Sequence, residues 1–173
     1  MTLFLDMDEV IADAYMAHII WYNEAFGASL TKAECMGKEV WQCVPEAHQA
    51  SIRKHCWLEG FFRQLQPIAG SLEVIKKLDQ KYNLYIASAA MQFPNSLKEK
   101  SDWLDEHLPF IPWQRRILCG DKFILKGDIL IDDRKRNLET FEGRSIMFTS
   151  PHNIDTNGFE RANDWQEVAT LLL

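Results

Sequence analysis

The chain lacks the features that would take it out of the cell interior or onto a polymer. No stretch approaches the roughly 18 consecutive apolar residues that a membrane span needs, so no membrane association is expected. The opening MTLFLDMDEV has no basic start and meets an acid straight after Leu5, which argues against a secretory leader. Cysteine is scarce: Cys35, Cys43, Cys56 and Cys119 form no C-x-x-C pair and no spacing typical of a zinc site. They read as reduced core residues of a cytoplasmic protein. Positive charge is in deficit, with 19 Lys and Arg against 25 Asp and Glu for a net charge of −6. Polymeric nucleic acid is held by many Lys and Arg on phosphates and is not an expected partner, whereas one Lys and one metal ion in a cleft suffice for a single phosphate. Repeats and low-complexity segments are absent.

What remains is 173 residues, 47% of them hydrophobic, enough for one domain or for one core carrying a small insertion. Leu3, Phe4 and Leu5 form an apolar run that stops at Asp6, as a buried parallel strand would when it delivers a carboxylate at its C-terminal end. Ile11, Tyr15, Ile19, Tyr22 and Phe26 then recur at helical steps, and Gly27 supplies a stop. From Leu30 to Gly60 short amphipathic stretches are broken by Gly37 and Pro45, which reads as a small helical insertion. Pro67 to Gly70 is turn chemistry, after which Ser71 is positioned to cap a helix with Leu72, Ile75 and Leu78 on one face. Strands are expected at 83–87, 116–119, 129–131 and 146–149, with helices from about Ser96 to Leu108 and from Asn163 onward. Alternating strands and helices imply a parallel sheet covered on both faces, with ligands outside the carboxyl ends of its strands.

Reactive residues stand where three of these strands end: Asp6 and Asp8 after the first, Ser88 after the second, and Asp132 with Asp133 after Ile129–Ile131. A lone D-x-D, D-D or strand-end Ser is commonplace. Their conjunction on one rim is not, because four carboxylates so placed repel one another unless a cation sits among them. A hard divalent cation with oxygen ligands answers that need, and Mg²⁺ suits a site where phosphate supplies part of the coordination.

These segments resemble the haloacid dehalogenase superfamily over nearly the whole chain: LFLDMDEV for its first motif, YIAS ending at Ser88 for its second, Lys122 in GDKFILKGD for its third and ILIDD for its fourth. DMD-x-V-x-AD, GFFRQLQPIAG, the DK before LIDD, FTSPHN and NDW are similar to the 5'(3')-deoxyribonucleotidases in particular. The resemblance implies an α/β, Rossmann-like core with a central parallel sheet flanked by helices, over residues 1–13 and 68–173. It implies a helical cap, residues 14–67, inserted after the first strand.

The implied activity is hydrolysis of a nucleoside monophosphate. Asp6 would be the nucleophile and Asp8 the general acid and base. Mg²⁺ would be held by Asp6, the Asp8 main-chain carbonyl and Asp133, with Asp132 supporting Asp133. Ser88, the Ala89 N–H and Lys122 would bind phosphate, with Lys126 as the rival lysine. Tyr15, Trp41, Trp57, Phe61 and Phe62 are candidates to stack on a base from the cap. A sugar phosphate or another small phosphomonoester as substrate, and a non-catalytic metal- or partner-binding protein, are the alternatives. Four positions depart from the family pattern: Glu9 stands where many members have Gly, Ala89 and Ala90 where Ser and Pro are usual, and Ala14 about where a Phe is frequent. His152 and Asn153 read as structural hydrogen-bonding groups. His18, His48, His55 and His107 read as surface or partly buried residues.

Overall fold

The three apolar runs that end in reactive residues lie side by side at the centre of a six-stranded parallel sheet. The computed structural model describes residues 1–173. Its strands are β1 (Thr2–Leu5), β2 (Asn83–Ser88), β3 (Arg116–Leu118), β4 (Ile129–Asp132), β5 (Arg144–Phe148) and β6 (Glu160–Ala162), in the order β3-β2-β1-β4-β5-β6. Leu5 registers with Ile86 on one side and Ile131 on the other. The order reverses direction across β1, which opens a crevice at the carboxyl ends of β1, β2 and β4.

Helices cover both faces: α1 (Ala14–Phe26), α2 (Glu46–Lys54), α3 (Ser71–Lys81), α4 (Pro94–His107), α5 (Lys135–Glu139) and α6 (Trp165–Leu172). The pleat of β1 explains its unbroken apolar run. Leu3 and Leu5 enter the larger core with Ile75, Leu78 and Trp103, whereas Phe4 enters a second core with Leu130, Leu138 and Phe141 on the opposite face. A third cluster of Tyr15, Ile19, Tyr22, Cys35, Val40, Val44 and Ile52 belongs to the helical segment that follows β1. Helix α1 serves two cores, turning Ala14 and Ala17 to the larger one and Tyr15, Ile19 and Tyr22 to the third. Two buried tryptophans fix the surrounding loops, Trp103 donating to the Leu65 carbonyl at 2.7 Å and Trp165 to that of Val10 at 2.8 Å.

Several expected boundaries move. Ile11 precedes the first helix, which starts at Ala14 because the Asp13 carboxylate accepts from Met16 N–H at 2.9 Å and so caps it. Ser71 does not cap α3: Gly70, in a left-handed conformation at φ 80°, occupies the cap position and Ser71 is the buried first helical residue. Val74 is buried with Ile75 and Leu78, while Leu72 is only half-buried. Strand β5 begins at Arg144 and ends at Phe148, and α6 begins at Trp165, capped by Asp164. Strand β6 and helix α5 were not anticipated.

Candidate active site

The rim is assembled by backbone first. Asp6 N–H donates to Ile131 O at 2.9 Å, which locks the end of β1 to that of β4. Asp132 is the last residue of β4 and Asp133 follows it, so the carboxylates of Asp6, Asp132 and Asp133 come within 4.8 Å of one another. Lys122 lies between β3 and β4 and is buried; its Nζ stands 2.6 Å from Asp6 Oδ1 and 2.6 Å from Asp132 Oδ2. Lys126 is exposed. Ser88 closes β2 with its hydroxyl buried.

The hydrogen bonds sort the carboxylate oxygens. Asp132 is fully engaged: Oδ1 accepts from Arg134 N–H at 2.8 Å and from Asn137 Nδ2 at 3.0 Å, while Oδ2 accepts from Lys122. On Asp133, Oδ2 meets His152 Nε2 at 2.7 Å and Arg134 Nε at 3.2 Å, and Oδ1 makes no hydrogen bond. On Asp6, Oδ1 accepts from Met7 N–H at 2.7 Å as well as from Lys122, which leaves Oδ2 uncommitted. Burial raises the Asp6 carboxyl, Lys122 opposes it, Asp132 and Asp8 push it further up, and it settles at about 6. Burial likewise raises Asp132 and Asp133 against the pull of Lys122 and of His152 respectively. Burial would lower Lys122, but Asp6 and Asp132 outweigh it and hold the ammonium charged.

A second lysine escaped the sequence reading. Lys100 of α4 is buried, with Nζ 2.6 Å from Asp8 Oδ2, 2.9 Å from Ser88 Oγ and 4.7 Å from the centre of the Phe62 ring. The other oxygen, Asp8 Oδ1, is buried with no hydrogen-bond partner. One turn of the same helix face carries buried Glu99, whose carboxylate accepts from the N–H groups of Gly60, Phe62 and Arg63 at 2.8, 2.9 and 3.1 Å. Arg134 was also missed: its guanidinium bonds Asp133 and reaches Glu39 in the segment after α1.

Above this rim opens a cavity of about 520 Å³. Asp6, Asp8, Ser88, Ala89, Lys122 and Asp133 line its floor, and all five aromatic candidates, Tyr15, Trp41, Trp57, Phe61 and Phe62, line its walls. They differ in freedom. Tyr15 is buried and its hydroxyl donates to the Lys38 carbonyl at 2.6 Å, Arg53 lies over Trp41 at 4.0 Å, and Trp57 is 55% exposed. Phe61 and Phe62 are buried, edge to face at 5.2 Å.

The family model described as "5' nucleotidase, deoxy (Pyrimidine), cytosolic type C protein" matches residues 1–173. The chain belongs to this nucleotidase family. It is accordingly a phosphoric monoester hydrolase. Among its relatives, the 5'(3')-deoxyribonucleotidase of Bacillus subtilis is 38% identical over 172 residues, covering 98% of this chain and 96% of that one. Among solved structures, a haloacid dehalogenase-like hydrolase from Streptococcus pneumoniae matches with a TM-score of 0.61 at 13% identity, covering 99% and 98% of the two chains. A HAD-hydrolase from Bacillus subtilis, bound to magnesium, matches at 0.59 and 16%, covering 99% and 97%. These likenesses establish the haloacid dehalogenase fold.

Within this nucleotidase chain the departure at Glu9 has a physical account. Its φ of 62° is left-handed, a conformation that costs a non-glycine residue about 1–2 kcal/mol. The buried carboxyl accepts from Ser150 Oγ at 2.9 Å, and a satisfied buried hydrogen bond offsets a cost of that size. Burial, then Asp133 and Asp13, push the Glu9 carboxyl well above the usual range. The FTSPHN segment therefore shapes the site from behind: Ser150 holds Glu9, His152 holds the Asp133 carboxylate, and Asn153 Nδ2 donates to the Asp133 carbonyl at 2.9 Å. His55 proves to be buried, and His18 lines the cavity.

Proposed function

We propose that the chain hydrolyses the phosphomonoester of deoxyribo- or ribonucleoside monophosphates, as a 5'(3')-deoxyribonucleotidase, through an aspartyl-phosphate on Asp6. The observation that carries this reading is the pairing of the two acids with buried lysines: Asp6 lies against Lys122 and Asp8 against Lys100, together on the floor of an aromatic-walled cavity. The carboxylates of Asp6, Asp132 and Asp133 converge on one spot against Lys122 and Arg134, so this part of the rim is short of positive charge before a phosphate dianion arrives. A divalent cation meets that shortage. Asp6 Oδ2 and Asp133 Oδ1 have lone pairs to offer it, and together with the Asp8 carbonyl they would hold Mg²⁺, with Asp132 pinned behind them by Lys122 and Asn137. Bound there, the cation would draw charge from the phosphoryl oxygens.

Asp6 attacks phosphorus, the bond to the leaving oxygen breaks, and the Asp8 carboxyl gives its proton to that oxygen, releasing the nucleoside. Asp8 then takes a proton from water as it attacks the aspartyl-phosphate, which returns Asp6 and frees inorganic phosphate. Lys122, Ser88 and the Ala89 N–H would hold phosphoryl oxygens through both steps. Residues 14–67 would act as a cap over a core of 1–13 and 68–173, excluding water while Trp41, Trp57, Phe61, Phe62 and Tyr15 enclose the nucleoside.

Phosphate release is to be measured with Mg²⁺ on 5'- and 3'-deoxyribonucleotides, ribonucleotides, sugar phosphates and an aryl phosphate. Nucleotides should be cleaved fastest, and Asp6→Asn should lower kcat at least about 10³-fold. A panel in which no nucleotide outpaces the aryl phosphate removes the substrate assignment. Unchanged activity in D6N removes the mechanism.

A further inference from the structure

One wall of the cavity carries a fixed polar group that the proposed chemistry does not use. Ala14, Tyr15 and His18 line the cavity from one face of α1. Ala14 has nothing to donate, and the Tyr15 hydroxyl is committed to the carbonyls of Lys38 and Cys35. His18 is different. Its Nδ1 stands 3.1 Å from Nδ1 of buried His55, and its ring packs on His55 and on Phe61, with centroids at 5.2 and 4.5 Å. The ring is fixed in place, and its second nitrogen, Nε2, has only the Cys56 sulfur at 3.8 Å, a weak partner. Of the other polar side chains that line the cavity, Arg53, Gln92 and Arg136 are exposed, Arg53 lies over Trp41, Glu39 pairs with Arg134 and Asn137 with Asp132.

We infer that His18 is a specificity-determining residue whose Nε2 hydrogen-bonds a sugar hydroxyl of the leaving nucleoside. The inference rests on the nucleotidase reading and deepens it. The leaving oxygen must lie at Asp8, so the sugar ring fills the space just beyond it. Asp8 is linked to His18 along that wall, through Lys100 over the Phe62 ring and through Phe62 and Phe61 edge to face. A hydroxyl suits the site whichever way the two imidazoles share their proton. If His18 Nδ1 carries it, Nε2 accepts; if His55 provides it, Nε2 donates, and a hydroxyl can answer either. Burial, His55 and Arg134 lower His18 to about 3, so the ring is neutral at working pH and fits a neutral hydroxyl rather than a phosphate.

The test compares kcat/KM on dUMP with that on 2',3'-dideoxy-UMP for the wild type, His18→Asn and His18→Gln. Asn places its amide near the Nδ1 position and keeps the bond to His55 while losing the cavity-facing end; Gln reaches the Nε2 position. Preference for the hydroxyl-bearing nucleotide should fall about tenfold in H18N and stay within about threefold of wild type in H18Q, the scale of one buried neutral hydrogen bond. Both substrates falling together in H18N, with their ratio kept, overturns the inference. So does H18Q losing the ratio as fully as H18N. A wild type that cleaves aryl phosphate but no nucleotide is distinguishable from both and removes the nucleotidase reading along with it.

Discussion

Asp8 is gripped on one oxygen by Lys100 and left free on the other, and this asymmetry decides what Lys100 does. An acid that must give and then recover a proton needs a carboxyl held in one orientation, and an ammonium 2.6 Å from Oδ2 supplies it. Lys100→Met should therefore lower kcat about 10²-fold on any phosphomonoester, with the fold retained as judged by an unshifted unfolding midpoint or one that rises. A loss below about threefold would remove Lys100 from the machinery. The sequence carried a sign of this residue that went unread. Positions 96, 99, 100, 103 and 104 form the buried face of α4, and charged residues on such a face are rarely fully buried unless paired. Asp6, Asp132 and Asp133 were legible because an apolar strand ran straight into each group. Lys100 reaches the rim from the middle of a helix, and Arg134 from the residue after the acidic pair, where no strand end marks them.

Helix α4 also controls the loop between α2 and α3. Glu99 takes three backbone N–H groups from Gly60, Phe62 and Arg63, which sets Phe61 and Phe62 against the cavity. Glu99→Gln turns part of that acceptor into a donor pointed at N–H groups. It should cost about 2 kcal/mol in urea unfolding and speed amide exchange at residues 60–63; an unchanged midpoint would show the carboxylate to be dispensable. At this scale the long elements were readable from periodicity and the short ones were not. Strand β6 is three residues, Glu160, Arg161 and Ala162, of which only Ala162 is buried, so no apolar run announces it. Helix α5 has five residues and no side-chain cap. Each forms because its neighbours are already in place, Thr149 N–H donating to Ala162 O and Asn137 anchoring α5 to Asp132.

The whole molecule gathers Asp6, Glu9, Asp132 and Asp133 at one end of the sheet, all with carboxyls raised by burial. The folded chain binds these protons more tightly than the unfolded chain does. Their contribution to stability is complete below the ordinary carboxylate range near about 4 and is lost as pH rises through the folded values, about 6 for Asp6. The metal-free protein should thus lose unfolding midpoint between about pH 4 and pH 7, and Mg²⁺ should restore it more at the upper end than the lower, because protons and the cation compete for the same oxygens. Scanning calorimetry with and without Mg²⁺ checks this; a midpoint that rises over that interval without metal contradicts it.

The guanidinium of Arg134 is shared between Asp133 on the rim and Glu39 beyond α1. Charge arriving at Asp133 weakens its hold on Arg134 and leaves the guanidinium to Glu39. By linkage, whatever draws Glu39 and Arg134 together must also favour that charge. If the segment that carries Glu39 docks on the core as a cap, occupancy of the floor and docking of the roof become a single equilibrium read at two addresses, with this one arginine as its hinge pin.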